Sequence, residues 1–198
     1  MVIGMTPRDV FEKTLHLTGS EVIEDLSDAC IPLHLAAGDF LIREGEKPAV
    51  VPFLLKGIVR GFLFDVNGRE ITDCFAVQPG IPVMTSADLQ APSLSMDALV
   101  DSDFLTIPIT EIQRLLERYS ELQRLYNQLL IASFSMHSEI KLTLCRDTAM
   151  QKYQWFLQKY PGLVDQISNK CIASFLGMTP VTLSKLRRVL REKENPET

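Results

Sequence analysis

The sequence is poor in the residues that build catalytic and metal-binding sites. Of its 198 residues, only 3 are histidine and 4 are cysteine. The cysteines stand far apart, with no Cys-x-x-Cys pair and no Cys/His cluster at metal-ligand spacing, at Cys30, Cys74, Cys145 and Cys171. We therefore predict reduced thiols in a cytoplasmic protein, with no metal and no cofactor.

Two further classes of protein are excluded by what is missing. No run of 18 apolar residues occurs, so we expect no membrane span and no membrane partner. No Ser/His/Asp set, phosphate-binding glycine loop or pair of acids in a plausible pocket is present, so the chain is not predicted to be an enzyme.

The stretch from Ser168 to Leu190 carries the strongest pattern. Ser168 can cap a first helix, and Gly177 can end it in a turn that needs positive φ. Thr179 followed by Pro180 is typical of a second helix start, because the first-turn N–H groups have no intrahelical partner. Small and apolar residues fill the positions between them: Ile172, Ala173, Leu176, Met178, Leu183 and Leu186. This predicts a helix-turn-helix, whose second helix enters the DNA major groove; the alternative is an ordinary helical hairpin in a bundle.

The charge distribution agrees with a DNA-binding end. Residues 168–193 contain six Lys or Arg and one Glu, a net charge of +5, whereas the whole chain carries −5. A basic end on an acidic body is typical of a phosphate-binding module. The alternative is a solvated helix face, since cations are common near helix C-termini.

The first half of the chain predicts a small β domain behind two short helices. A helix is predicted from Thr6-Pro7 to about Gly19 and another from Ser20 to Cys30. From Ile31 to about Pro108, short apolar runs are separated by glycines. Asp65–Gly68 indicates a hairpin turn between strands 58–64 and 69–77. Closely spaced strands with glycine turns favour an antiparallel jelly-roll barrel.

After Pro108 the pattern is helical. We predict a short helix over 109–117, a long one over 120–146 opened by a capping box of Ser120 and Gln123, and an aromatic helix over 147–160. The long helix bears a stripe with coiled-coil spacing: Leu122, Tyr126, Leu129, Ser133, Met136 and Ile140. The stripe predicts a homodimer interface; burial within one subunit is the alternative.

This order of a glycine-punctuated barrel, a long helix and a terminal helix-turn-helix resembles the Crp/Fnr family of bacterial transcription regulators, in its short subgroup without a β-wing. The residues that carry the resemblance are 42–46 (IREGE), 55–57 (LKG), 67–70 (NGRE) and 172–180 (IASFLGMTP). It implies an α+β fold in three parts: a cyclic-nucleotide-binding-like jelly-roll β-barrel as the effector domain in 1–119, a dimerisation helix in 120–146, and a helix-turn-helix DNA-binding domain in 147–198.

The resemblance also implies the function: a homodimeric transcription regulator that reads a palindromic operator in double-stranded DNA. Its further partners would be RNA polymerase and an unknown small-molecule effector. Base edges would be met by Val181, Thr182 and Lys185. Phosphates would be met by Lys170, Thr179, Ser184, Arg187 and Arg188.

Three departures from the family pattern bear on the effector and the operator. Cyclic-nucleotide-binding members carry Gly-Glu and Arg-Ser in the barrel loop, but residues 80–84 and 91–94 here lack both the Glu and the Arg. A buried cyclic phosphate without a cation is poorly compensated, so cAMP is not expected to bind. The cysteine cluster of iron–sulfur members is also missing. The barrel then binds either another small molecule or none. We place the pocket for such an effector at Met84, Thr85, Ser86, Ser93 and Tyr126.

The third departure lies on the recognition helix. Many relatives have Glu and Arg where this chain has Val181 and Lys185, and losing the Glu removes an acceptor for cytosine N4. The alternative function is therefore a ligand-sensing or scaffold protein whose DNA binding has decayed. Salt-dependent DNA binding would distinguish a transcription regulator from this alternative.

Overall fold

The structure is a computed structural model that describes residues 5–84 and 91–194. The fold is α+β and divides into two compact units. The first unit comprises Met1–Leu63 and Cys74–Ala132, and the second comprises Phe64–Asp73 and Ser133–Thr198. The long helix therefore contributes to both units, and the tip of one β-hairpin belongs to the helical second unit.

Seven strands of the described chain form two antiparallel sheets, as the glycine-punctuated pattern predicted. They are β1 (Ile31–Leu35), β2 (Phe40–Ile42), β3 (Val50–Lys56), β4 (Val59–Phe64), β5 (Glu70–Ala76), β6 (Ser95–Ala98) and β7 (Ser102–Pro108). The strand orders are β1-β7-β3 and β2-β6-β4-β5. Strand β5 thus lies at an edge, with one side of its backbone open to other partners.

The hairpin between β4 and β5 confirms the predicted turn. Gly68 has a φ of +72°, which a glycine adopts without strain, and its N–H donates to the carbonyl of Asp65 at 2.9 Å. The Asp65 carboxylate accepts hydrogen bonds from the N–H groups of Arg69 and Asn67. These bonds, the one from Arg69 first, lower the pKa of Asp65, so its charged form stabilises the turn.

The helices of the first unit close one side of a shared hydrophobic core. They are α1 (Pro7–Asp9), α2 (Ser20–Asp28), α3 (Ile109–Arg118) and the first half of α4 (Ser120–Arg146), with a π-helical turn over Val10–Thr14 after α1. The prediction that the first helix reaches Gly19 is wrong: helical structure ends at Thr14, and His16 has a φ of +56°. The core combines Phe11, Leu26, Phe53, Ile107, Leu115 and Leu122.

The long helix α4 has the predicted bounds, but its start is built differently. The capping box of Ser120 and Gln123 is wrong, because the Gln123 amide donates to the carbonyl of Leu116 at 2.8 Å. Glu121 instead turns to the start of α2. Its carboxylate accepts hydrogen bonds from Thr18 N–H at 2.7 Å, from the Thr18 hydroxyl at 2.9 Å and from Gly19 N–H at 3.0 Å. Since Gly19 supplies no side chain, Glu121 caps α2 from another helix.

This cap predicts a pH-dependent stability. The backbone hydrogen bond from Thr18 leads the causes that lower the pKa of Glu121. A lowered folded-state pKa means that the stabilisation is complete above the unfolded value, about 4.3, and is lost as pH falls through the folded value. We expect Glu121→Gln to cost about 1–2 kcal/mol at neutral pH and progressively less as pH falls below about 4. Urea unfolding of the wild type and of Glu121→Gln between pH 3 and pH 7 measures this difference in the free energy of unfolding.

The control for this experiment is Glu117→Gln, which changes an exposed carboxylate one helix earlier. It should track the wild type at every pH. A constant difference between Glu121→Gln and the wild type from pH 3 to pH 7 would contradict the assigned role of the charge.

The second unit is helical and packs on aromatic side chains. Its elements are the second half of α4, α5 (Ala149–Lys159), a 3₁₀ turn (Leu163–Asp165), α6 (Asn169–Phe175) and α7 (Pro180–Glu194), together with the hairpin tip. Phe156 and Phe175 are fully buried, and Trp155 stacks on Phe175 with centroids 6.1 Å apart. The aromatic residues of α5 are therefore core.

Candidate nucleic-acid interface

The two C-terminal helices form the predicted helix-turn-helix, and local signals set their ends. The Ser168 hydroxyl accepts the N–H of Cys171 at 3.2 Å, which caps α6. The Thr179 hydroxyl accepts the N–H of Thr182 at 3.1 Å, which caps α7. Between them, Gly177 has a φ of +63° and open space around its α-carbon. Glycine is therefore required there by conformation and not by crowding.

The inner faces of the two helices pack tightly. The four residues at their crossing are fully buried: Ile172, Ala173, Leu176 and Leu183. The turn is also tied to α6, because the N–H of Met178 donates to the carbonyl of Ala173 at 2.9 Å. A fixed crossing means that α7 presents one defined face outward.

That outward face of α7 consists of residues spaced three and four apart, so they lie on one side of the helix. Its exposed members are Val181, Ser184, Lys185 and Arg188; we call them the reading face. Val181 is 65% exposed, an unusual position for a branched apolar side chain. The predicted contacts Val181, Ser184, Lys185 and Arg188 are thus brought together on one surface.

Three predicted DNA contacts lie elsewhere. Arg187 points to the other side of α7, where its guanidinium donates to the Asn169 side chain at 2.6 Å and lies 3.8 Å from the Asp165 carboxylate. It therefore fastens α7 to the start of α6 and does not belong to the reading face. The Thr182 hydroxyl is half-buried and hydrogen-bonds to the Thr179 hydroxyl at 2.9 Å, so both hydroxyls are engaged in the cap.

Two of the predicted cations, Lys170 and Arg188, form loose ion pairs on the surface. Lys170 lies 4.0 Å from the Glu70 carboxylate, and Arg188 lies 3.6 Å from that of Glu192. Pairs this exposed contribute between zero and about 1 kcal/mol, so a phosphate can replace the carboxylate. Both cations therefore stay available to an anionic partner.

Helix α6 is also held by the tip of the β4–β5 hairpin, an arrangement that the sequence did not reveal. The Ser174 hydroxyl donates to the carbonyl of Glu70 at 3.1 Å and accepts the N–H of Thr72 at 2.9 Å. Both partners belong to edge strand β5, and Thr72 is buried. One serine thus satisfies the open backbone of an edge strand and positions the first helix of the helix-turn-helix.

A second anchor joins α4 to α5 and was also missed. The Glu139 carboxylate accepts hydrogen bonds from the Trp155 indole N–H at 2.9 Å and from the Lys159 ammonium at 2.6 Å. The bond from Lys159 is the leading cause that lowers the pKa of Glu139. Since Trp155 stacks on Phe175 of α6, the charge on α4 is linked to the helix-turn-helix through one aromatic ring.

The apolar stripe predicted on α4 faces the protein's own chain at its two ends, and its middle residues stay a predicted interface. Leu122 is 7% exposed within the first core, and Ile140 is 5% exposed. Leu129 packs against the same core as Leu122. Leu122 and Ile140 are therefore buried without a second subunit, whereas Tyr126, Leu129 and Met136 are half-buried and Ser133 is exposed. Apolar side chains do reach solvent on the opposite side of α4, where the exposed residues are Ile131, Phe134 and Leu142.

The predicted effector pocket lies only partly within the described residues and stays a prediction. Met84 is half-buried against the first core, Ser93 is exposed, and Tyr126 is half-buried. Thr85 and Ser86 lie outside the described residues. A groove of about 280 Å³ exists elsewhere on the first unit, between β2 and β3, lined by Phe40, Arg43, Glu46, Lys47, Pro48 and Pro52 among others.

The described end of the segment that would carry a cyclic-nucleotide site is bonded to the turn at Gly45. Pro92 is buried, and its carbonyl accepts the N–H of Gly45 at 2.9 Å.

Within the described parts of the chain, no three metal-binding side chains come together. None of the helices in those parts is long and apolar enough to span a bilayer.

Comparison with solved structures identifies the fold of this chain. No protein-family model and no curated protein matches the sequence. Solved structures match over most of both chains. FixK2 from Bradyrhizobium japonicum has a TM-score of 0.75 at 17% identity, covering 83% of this chain and 86% of its own. A transcriptional regulator of the Crp/Fnr family from Eubacterium rectale has a TM-score of 0.69 at 17% identity, covering 89% and 85%.

A third structure, a CooA mutant from Carboxydothermus hydrogenoformans, has a TM-score of 0.68 at 16% identity and covers 93% of this chain and 84% of its own. The predicted resemblance to Crp/Fnr regulators is therefore confirmed as a resemblance of fold: two antiparallel sheets of the cyclic-nucleotide-binding-like type followed by helices that end in a helix-turn-helix.

Proposed function

We propose that the protein is a sequence-specific, homodimeric DNA-binding transcription regulator. The observation that carries this proposal is the reading face of α7, which projects Lys185 and Arg188 from a helix-turn-helix with a closed core. A second helix of this kind lies in the major groove, with its first turns at the base edges. The fold shared with solved Crp/Fnr regulators supports the same function.

DNA binding should depend steeply on salt, and two residues of the reading face should differ in role. Lys185 lies nearer the N-terminus of α7 and can reach guanine O6 and N7, so Lys185→Ala should cost about 1–3 kcal/mol on the cognate site only. Arg188 lies one turn further along, closer to the backbone of a groove-bound duplex. Arg188→Ala should weaken binding to all sequences alike and lower the salt slope by about one.

A selected-sequence binding assay at several salt concentrations measures both effects. Arg187→Lys serves as the control, since that side chain is turned toward Asn169 and its charge is retained; it should leave the salt slope and the preferred sequence unchanged. If the wild type binds no duplex even at low salt, the regulator function fails. The alternative, a ligand-sensing or scaffold protein with decayed DNA binding, then takes its place.

The homodimer is proposed through the outer side of α4. Ile131, Phe134 and Leu142 are between 60% and 75% exposed there, and such side chains on one helix side are typical of an interface. We expect sedimentation to show a dimer at micromolar concentration and Phe134→Glu to shift it to monomer, because an unpaired charge in an apolar interface is costly.

Ala132→Glu is the matched control for dimerisation. Ala132 is also exposed, but two residues of α-helix place it nearly on the other side of α4 from Phe134. This variant should remain dimeric. A wild type that stays monomeric at tens of micromolar, or a dimer equally disrupted by both variants, would contradict the proposed interface.

The effector and RNA polymerase stay part of the proposal as classes of partner. The missing Glu and Arg in residues 80–84 and 91–94 argue against cAMP as the effector. Another small molecule would bind the first unit.

A further inference from the structure

The first turn of α7 is apolar on the side that points away from the protein. Val181 is 65% exposed on the reading face, and Pro180 beside it is exposed and has no N–H to donate. The next hydroxyls, Thr179 and Thr182, hydrogen-bond to each other at 2.9 Å. At Val181 the first turn therefore offers a groove-bound base a branched hydrocarbon and no hydrogen-bonding group.

Side chains that could supply polar recognition are placed further along or turned away. Arg187 is fastened to Asn169, and Ser184 and Lys185 lie on the following turn. Val181 can therefore recognise the base opposite it only through apolar contact. In the major groove, thymine alone among the four bases presents a hydrocarbon group, its C5-methyl.

We propose that Val181 is a specificity-determining residue that selects thymine in each half-site through contact with the thymine methyl group; this rests on the proposed DNA-binding function. The alternatives at this base pair are disfavoured by desolvation. A valine placed against the cytosine amino group or against the acceptors of guanine would remove water from a polar atom without replacing its hydrogen bond. Contact with the methyl group removes apolar surface from water on both sides and leaves no polar group unpaired.

The test removes that methyl group and nothing else. The full-length protein first selects an operator from a randomised palindromic duplex library. Each thymine of the selected half-site is then replaced in turn by deoxyuridine, which pairs identically but lacks the C5-methyl. Burial of one methyl group corresponds to about fourfold in affinity, so substitution in both half-sites should weaken binding roughly fifteenfold at one position.

Two variants assign this sensitivity to Val181. Val181→Ser should bind the thymine and deoxyuridine duplexes equally, whereas Val181→Thr, which keeps one methyl group, should still distinguish them. Val66→Ser is the matched control, because Val66 is a fully exposed valine on the hairpin tip. It should retain the wild-type sensitivity.

The outcomes separate this inference from the function on which it rests. A selected operator in which no deoxyuridine substitution matters, or a Val181→Ser protein that keeps the full sensitivity, overturns the assignment of Val181 and leaves the regulator function intact. Failure to enrich any sequence overturns the regulator function and the assignment together.

Discussion

Phe175→Ala is expected to destabilise the second unit by about 3–5 kcal/mol and to abolish DNA binding. Phe175 is fully buried on α6 and contacts aromatic rings from α5 and its C-cap residue at centroid distances of about 6 Å: Trp155, Phe156 and Tyr160. Truncation leaves a cavity among large rings that cannot close around it. Because α6 supports the crossing of α7, its loss removes the fixed orientation of the reading face.

Intrinsic tryptophan fluorescence measures the loss of stability in the second unit of the structure. Trp155 is the single tryptophan of the chain and stacks directly on Phe175, so its emission during urea unfolding reports on the second unit. Phe175→Leu is the graded control, since it fills most of the volume and should cost clearly less. A Phe175→Ala protein with a wild-type midpoint and wild-type DNA affinity would show that the aromatic cluster does not support the helix-turn-helix.

Asp97→Ala is expected to cost about 3–5 kcal/mol in the first unit, because it leaves a buried guanidinium without its carboxylate. Arg60 on β4 and Asp97 on β6 are directly opposite in the sheet register. The guanidinium donates to both carboxylate oxygens, at 2.9 and 2.6 Å, and the two side chains are 8% and 12% exposed. Arg60 also lies over the ring of Phe62.

Asp103→Ala is the matched control for this prediction. Asp103 on β7 pairs with His34 at 2.7 Å, but both side chains are more than half exposed, so its loss should cost at most about 1 kcal/mol. Urea unfolding followed by far-ultraviolet circular dichroism, with hydrogen exchange of the β4 and β6 amides, measures the difference. Equal costs for Asp97→Ala and Asp103→Ala would contradict the role of burial.

A double variant tests the reason for the cost. Replacing the pair together, Arg60→Met with Asp97→Leu, removes both charges and leaves none unpaired. It should recover part of the stability lost in Asp97→Ala, because a buried ion pair and a packed apolar pair are often similar in energy. A double variant less stable than Asp97→Ala would mean that the Arg60 guanidinium stabilises the first unit mainly through its other contacts.

Local chemistry in the sequence was sufficient to determine most of the elements. The hairpin turn at Asp65–Gly68, the caps at Ser168 and Thr179, and the positive φ at Gly177 each depend on a few adjacent residues. The same holds for the bounds of α4 and the strand-rich texture between Ile31 and Pro108. Such signals act within a turn or two of the chain, and therefore they can be read in order along it.

Tertiary structure decided which side of each element faces inward. Periodicity on α4 identified an apolar stripe, but a helix with apolar residues around most of its circumference does not say which stripe meets its own core. Leu122 and Ile140 turned out to be buried within one chain, and Phe134 is exposed. The same limit applied to α7, where Arg187 and Arg188 are adjacent in sequence but only Arg188 is on the reading face.

Contacts between residues distant in sequence were decided by the fold alone. Glu121 caps α2 across 103 positions, Ser174 holds the β5 edge across 104, and Glu139 reaches Trp155 across a helix junction. No local pattern marks these three side chains, because glutamate and serine are ordinary residues of exposed helix positions. Their partners are backbone groups and an indole N–H left unsatisfied by local structure, and only the assembled chain brings the two halves of each bond together.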